Sequence, residues 1–340
     1  MSTNVRPGVY TSYEIAGSLY GGSKGRAVGL VANAEEGTVG EVVALTGYAQ
    51  AQEAFGGGNL VKLAEILFRN GAPKVYAVRV EGTAYSTPTK KLMEYADIKF
   101  MVCDDRKAAG QMILADAIDK ADEKSKYRIL VVESEYDTVS DTVETYQIFN
   151  NERVMAVTPY ETNGVPGSVA AAVCGVMASC DDPALPLNGA ELKGLGALKT
   201  NYSDSDLALL IGGGVSVVET LGGKKTIVRG VTTRTTTNEV EDYTWREVNT
   251  IMILDEVIPG IRDELKLKFS RAKNTAQTRG AIRTQVLVAL EDYRKREIID
   301  SYGEINVSQS EDDPTVCLVS FAFTVAHGLN QIELHAHITV

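Results

Sequence analysis

Three histidines are the first place to look for chemistry in this chain, and all stand in its last fourteen residues: His327, His335 and His337. His335 and His337 lie two apart, so an extended strand would put them on one face, where they could share a metal ion. Glu333 on that face is a weak third ligand, and no cysteine is close in sequence. A solvated strand edge explains the pair with fewer assumptions. Gly17 to Gly25, GSLYGGSKG, is a near miss for a phosphate loop. Its lysine comes one place late, and no strand precedes it. GLGALK, Gly194 to Lys199, lacks the third glycine of a dinucleotide fingerprint. The triple glycines at 56–58 and 212–214 read as turns beside helix ends. The carboxylates of CDDRK, SDTVE and SEDDP fall at helix starts or turns, where dipole and turn geometry favour them. We therefore read no catalytic, cofactor-binding or metal site, and expect a protein that is not an enzyme.

One charge cluster does stand out. Arg262, Lys266, Lys268, Arg271, Lys273, Arg279 and Arg283 are opposed within their segment only by Asp263 and Glu264, in a chain of formal net charge −11. The acidic balance argues against a nucleic-acid binder. The basic segment reads as a solvated helix face or as a docking face for an acidic partner. On a helix, Lys266 with Lys273 and Arg279 with Arg283 would point together.

The elements around these residues read as two folded parts with an arm at each end. The 340 residues correspond to about two domains at roughly 150 residues each. The four cysteines, Cys103, Cys174, Cys180 and Cys317, form no C-x-x-C pair and read as core thiols of a reducing compartment. The first residues, MSTNVRPGVY, lack the apolar core of a signal peptide, and no apolar run is long enough to span a bilayer.

From Arg26 the pattern is globular. RAVGLVAN, EVVALTG and KVYAVRVEG read as strands, NLVKLAEILFRNG as a helix, and GTAYSTPTK as a soft break. The middle third alternates: IKFMVC, YRILVVES and RVMAVTPY are strands, each followed by a helical stretch. That pattern predicts a mostly parallel sheet with helices on its faces. SDSDLALLIGGG is a capped helix, and VSVVETLGGKKTIVRGVTT a hairpin. Two long helices follow. The first should kink at Pro259–Gly260, and the second has Asn274 or Thr275 as its cap. EINVSQ and TVCLVSFAFTV are strands. The last residues alternate, with Ile332, Leu334, Ala336, Ile338 and Val340 on one face of a terminal strand with no return strand.

The expected fold class is thus α/β: a parallel-type βα core domain plus a smaller α+β domain, with extended β arms. We divide the chain into an N-terminal arm (1–20), a segment expected to pack with the C-terminal domain (21–89), the α/β core (90–229), an α+β domain (230–328) and a C-terminal strand arm (329–340).

Several stretches resemble contractile tail sheath proteins of bacteriophages and of phage-like particles such as tailocins. RPGVYTSYEI resembles the family's N-terminal arm. VMAVTPYETNGVPGSVAAAVCGVMASCDDPALPLNGAELKGLGAL resembles its core segment, and LALLIGGGVSVVETLGGKKTIVRGVTT the helix and hairpin after it. YTWREVNTIMILDEV and CLVSFAFTVAHGLNQIELHAHITV resemble its C-terminal helix and terminal strand.

The resemblance implies a subtilisin-like core fold without protease activity. It implies a helical homopolymer around an inner tail tube protein, with baseplate and tail terminator proteins at its ends, in a virion tail or phage-like particle assembled in a bacterial cytoplasm. It implies inter-subunit strand addition by the arms, here Val5, Val9, Tyr10, Tyr13 and Ile15 at one end and Ile332, Leu334, Ala336, Ile338 and Val340 at the other. It also implies a tube-facing helix, here the segment of Lys266, Lys268, Arg271, Lys273, Arg279 and Arg283. The alternatives are a Rossmann-like hydrolase or nucleotide-binding enzyme, and a non-contractile tail or baseplate protein.

Overall fold

The computed structural model describes residues 26–122 and 126–330. The chain opens with β1 (Ala27–Asn33), β2 (Val42–Leu45), α1 (Tyr48–Phe55), α2 (Asn59–Arg69), β3 (Val75–Val80) and α3 (Ser86–Leu92). Alternating units follow: β4 (Ile98–Cys103), α4 (Ala108–Asp122), β5 (Ile129–Glu133), α5 (Val139–Gln147), β6 (Val154–Thr158) and α6 (Ser168–Ser179). Next come β7 (Glu191–Leu192), α7 (Asp204–Gly212), the hairpin of β8 (Val215–Leu221) and β9 (Lys224–Arg229), and a small pair, β10 (Thr236–Thr237) and β11 (Val240–Glu241). The long helices are α8 (Val248–Phe269) and α9 (Ala276–Lys295). Four strands close the described chain: β12 (Ile299–Tyr302), β13 (Asn306–Gln309), β14 (Cys317–Ser320) and β15 (Phe323–Val325).

Among the described residues, nine strands form one sheet in the order β2-β3-β1-β4-β5-β6-β8-β9-β7. Its middle, from β3 through β8, is parallel; β2, β9 and β7 add antiparallel edges. The sequence shows why. β5, ILVVE, and β6, VMAVT, are buried at every position, as strands must be when helices cover both faces. One face carries α2 and α6, the other α4, α5 and α7. α6 is built of small residues because it lies tight on α2. A Cβ on Gly175 would stand 2.8 Å from the Leu67 carbonyl oxygen.

The described part of residues 21–89 packs both ways: α2 shares a core with Trp245, Val248 and Ile251, and the segment's strands join the large sheet. β1 and β3 sit inside the large sheet, with β1 pairing in parallel with both β3 and β4. β1 is apolar and buried over its first six residues, so it needs cover on both faces, and only an interior position in the sheet provides it.

α8 links two cores. Trp245, Val248, Ile251 and Met252 belong to the core under α2 and α6. Ile253, Val257, Ile261 and Leu265 face a second core with Ile282, Val286, Leu290 and Tyr293 of α9. α8 runs unbroken through Pro259. Gly260 serves packing: a Cβ there would lie 2.1 Å from the Tyr293 hydroxyl.

The expected strand TVCLVSFAFTV is split into β14 and β15. Pairing of β12 with β15 and of β13 with β14, joined by Gly303 N–H donating to the Ala322 carbonyl at 2.8 Å, makes one bent antiparallel ribbon. Among the described residues each of its strands has a single strand partner, which leaves both edges of the ribbon unpaired there.

Candidate assembly interface

The carboxyl edge of the parallel sheet is where an α/β enzyme would hold a ligand, with anions at the following helix N-termini. Here the protein's own groups fill it. Glu133, at the end of β5 and fully buried, accepts hydrogen bonds from the backbone N–H of Gly167 (2.7 Å) and Val169 (2.8 Å) at the start of α6, and from Arg106 Nε (2.5 Å). Burial pushes its carboxyl up, while Arg106 and the two amides pull it down. Gly167 is held at φ 85, and a Cβ there would lie 2.3 Å from the Cys103 carbonyl oxygen, so the turn admits only glycine. Beside it, Asp104 accepts from Tyr85 Oη, Asn33 N–H and Nδ2, and Asn59 Nδ2. These groups are saturated with internal partners, so the edge is a structural clamp. Asp104 lies in CDDRK, whose carboxylates read as turn or helix-start residues, and Glu133 is not singled out by sequence; the available signal is a charged residue closing an apolar strand.

Among the described residues no group of three His, Cys, Asp or Glu could hold a metal ion. His327 is exposed, and His335 and His337 lie outside the described residues.

The basic segment is a surface feature. Lys266 and Lys268 end α8; Arg271 and Lys273 lie in the connection to α9; Arg279 and Arg283 are on α9. All are exposed except Arg279, which is half-buried and donates to Asn274 Oδ1 (3.0 Å) and Gln309 Oε1 (3.3 Å). Lys268 donates to Gln285 Oε1, and none of the six forms an ion pair among the described residues. The expectation that Lys266 and Lys273 share a helix face is corrected, because α8 ends at Phe269 and Thr275 caps α9. Arg279 and Arg283 do share one helix, one turn apart. Leu267, 82% exposed, stands among the lysines.

The arm residues Val5, Val9, Tyr10, Tyr13, Ile15, Ile332, Leu334, Ala336, Ile338 and Val340 lie outside the described residues. The points where the described chain meets both terminal segments are nevertheless close to one loop. Arg26 donates to the Asp181 carbonyl (2.9 Å), and Asn188 Nδ2 donates to Asn330 Oδ1 (2.6 Å).

Comparison with known proteins adds three results. Residues 240–339 match the family described as the phage tail sheath C-terminal domain. No curated protein sequence matches the chain. Solved structures match over nearly its whole length. The contracted helical sheath of the anti-feeding prophage superposes with a TM-score of 0.74 at 15% identity, covering 99% of each chain. The sheath tail protein from Desulfitobacterium hafniense gives 0.70 at 10% identity, covering 94% of this chain and all of the other. That from Listeria innocua gives 0.65 at 12% identity, over 91% and 97%. Residues 240–339 thus match the phage tail sheath C-terminal domain model, on a chain that shares its fold with solved tail sheath proteins.

Proposed function

We propose that the chain is the structural subunit of a contractile tail sheath, polymerising helically around an inner tube and contracting to drive that tube through a target envelope. The observation that supports this most is the sheath-domain match over 240–339 on a fold shared end to end with a contracted helical sheath. The edges of the β12–β15 and β13–β14 ribbon, unpaired among the described residues, are templates for strands from other copies. The alternating terminal residues Ile332 to Val340, and the arm of Val5, Val9, Tyr10, Tyr13 and Ile15, are suited to fill them. The exposed cations from Lys266 to Arg283 face the tube, and baseplate and terminator proteins cap the polymer. The particle is a virion tail or a phage-like relative. A non-catalytic role agrees with a sheet edge closed by Glu133 and Asp104.

The test is direct. In negative stain the purified chain forms striated tubes, and a chain ending at Asn330 stays soluble and forms none. Full-length tubes from the shortened chain would end the strand-addition proposal. Absence of tubes from the intact chain, with or without its tube protein, would end the sheath reading itself.

A further inference from the structure

We propose that the tip of the β8–β9 hairpin on one copy docks on an acid-rimmed apolar patch at the opposite end of the same sheet on the next copy. The proposal rests on the polymer reading above and concerns a core-to-core contact separate from the terminal segments.

The patch is assembled from three elements. Ile148 follows α5, Leu209 is on α7, and Val240 and Tyr243 lie on and just after β11. Their exposures are 69%, 61%, 68% and 62%. Tyr243 lines a cavity of about 110 Å³ with Gln147, Gly212 and Glu241, which stand beside or within one turn of Ile148, Leu209 and Val240 in the chain; Arg234 and Arg246 line it as well. Single exposed apolar residues are ordinary on a protein surface, whereas four from three elements near one depression suit a contact site. Glu241 lines the cavity and is exposed, as are Glu239 next to Val240 and Glu144 one turn before Ile148. The nearby cations are engaged inward. Arg234 pairs with Glu152 at 2.7 Å, and Arg246 donates to the Ile211 carbonyl at 2.7 Å.

The hairpin tip has the complementary character. Leu221 is 65% exposed, and it leads into Gly222 and Gly223 at φ 57 and 82. Lys224 and Lys225 follow. Lys224 reaches Glu191 at 2.7 Å, but that pair is exposed on both sides and so weak enough to exchange. One apolar side chain beside two lysines suits an apolar depression rimmed by carboxylates.

The topology places the two surfaces apart. β8 starts at Val215, just after the α7 turn at the patch, and ends at Leu221. Seven residues at roughly 3.3 Å each separate them by about 20 Å. Complementary surfaces at opposite ends of one rigid body suit a head-to-tail contact between copies, and such a contact propagates into an open helical array.

The test uses charge exchange in the full chain without tube protein. One variant carries Lys224→Glu and Lys225→Glu, the other Glu239→Lys and Glu241→Lys. Each alone is expected to raise the concentration needed for polymerisation by about tenfold or more, since like charges then meet. Mixed in equal amounts, the two should assemble close to the wild-type concentration, because an acidic tip then meets a basic rim and a basic tip an acidic one. A folding defect cannot be rescued by mixing. Either variant polymerising like wild type, or a mixture as poor as its components, overturns the contact. Should the wild-type chain form no polymer, the sheath reading fails. The contact is then decided by sedimentation velocity on the mixture, where it predicts heavier species than either variant alone and is overturned if none appear.

Discussion

At the scale of single residues, a buried charge group connects the sheet to α8. Arg153, at the start of β6, lies 3.1 Å from Asp122 at the end of α4 and 2.6 Å from Asp255 on α8. Two carboxylates thus share this guanidinium, with Asp119, Glu152 and Lys99 also near. Burial pushes the Asp122 carboxyl up to about 7, with Arg153 opposing and Asp255 adding to the rise. An ordinary aspartate titrates near 3.9. The folded protein therefore holds this proton more tightly than the unfolded chain. Its contribution to stability is fully present below about pH 4 and is lost as pH rises through 7. Asp122→Asn should accordingly gain on wild type at pH 8 and lose that gain by pH 5, a change of roughly 2–4 °C in Tm difference. Melting both proteins at the two pH values checks it, and an equal difference at both would refute the assignment. In the sequence this group shows only as an arginine opening an apolar strand in RVMAVT. Nothing in the spacing of residues 122, 153 and 255 announces that they meet.

At the scale of elements, the legible parts were those with strong periodicity. The buried strands, α2, α6, the capped α7 and the β8–β9 hairpin all lie where their patterns place them. α1, YAQAQEAF, escaped because it buries only Ala51 and Phe55 and so shows no stripe. α3, STPTKKL, was hidden by a Ser-Thr-Pro composition that reads as a loop. The partner of β1 was not readable at all, since crossover pairing leaves no local trace. α8 runs unbroken through Pro259 and Gly260, and Gly260 makes room for Tyr293. Gly260→Ala should therefore destabilise by about 1–3 kcal/mol, the usual range for overpacking. Gly280→Ala, at an open position of α9 with nothing within 4 Å, should stabilise by about 0.5–1 kcal/mol. Urea denaturation of the two variants measures both signs, and loss of stability in neither would show that Tyr293 yields freely.

At the scale of the whole molecule, an acidic protein of net charge −11 presents one exposed basic strip, from Lys266 to Arg283, around a bare Leu267. Exposed ion pairs are each worth under about 1 kcal/mol, and solvent screens them over about 8–10 Å at physiological salt. In the proposed sheath, a contact of that strength repeated on every subunit would align the polymer on its tube and still let go. Lys266→Glu, Lys268→Glu and Lys273→Glu together should weaken binding to tubes and spare tube-free polymers, and wild-type binding should fall as salt rises. Co-sedimentation over a salt series decides this; insensitivity to both would make the strip a solvated face. The closeness of Arg26 to Asp181 and of Asn330 to Asn188 has a mechanical consequence. In an array joined through both terminal segments, tension enters and leaves each copy beside one loop. The side-chain contacts of Arg26 and Asn330 with that loop are loaded first, ahead of β1, which begins at Ala27. Pulled from its two ends, a subunit should first yield by peeling of those short anchoring contacts, and its sheet should stay whole until they have gone.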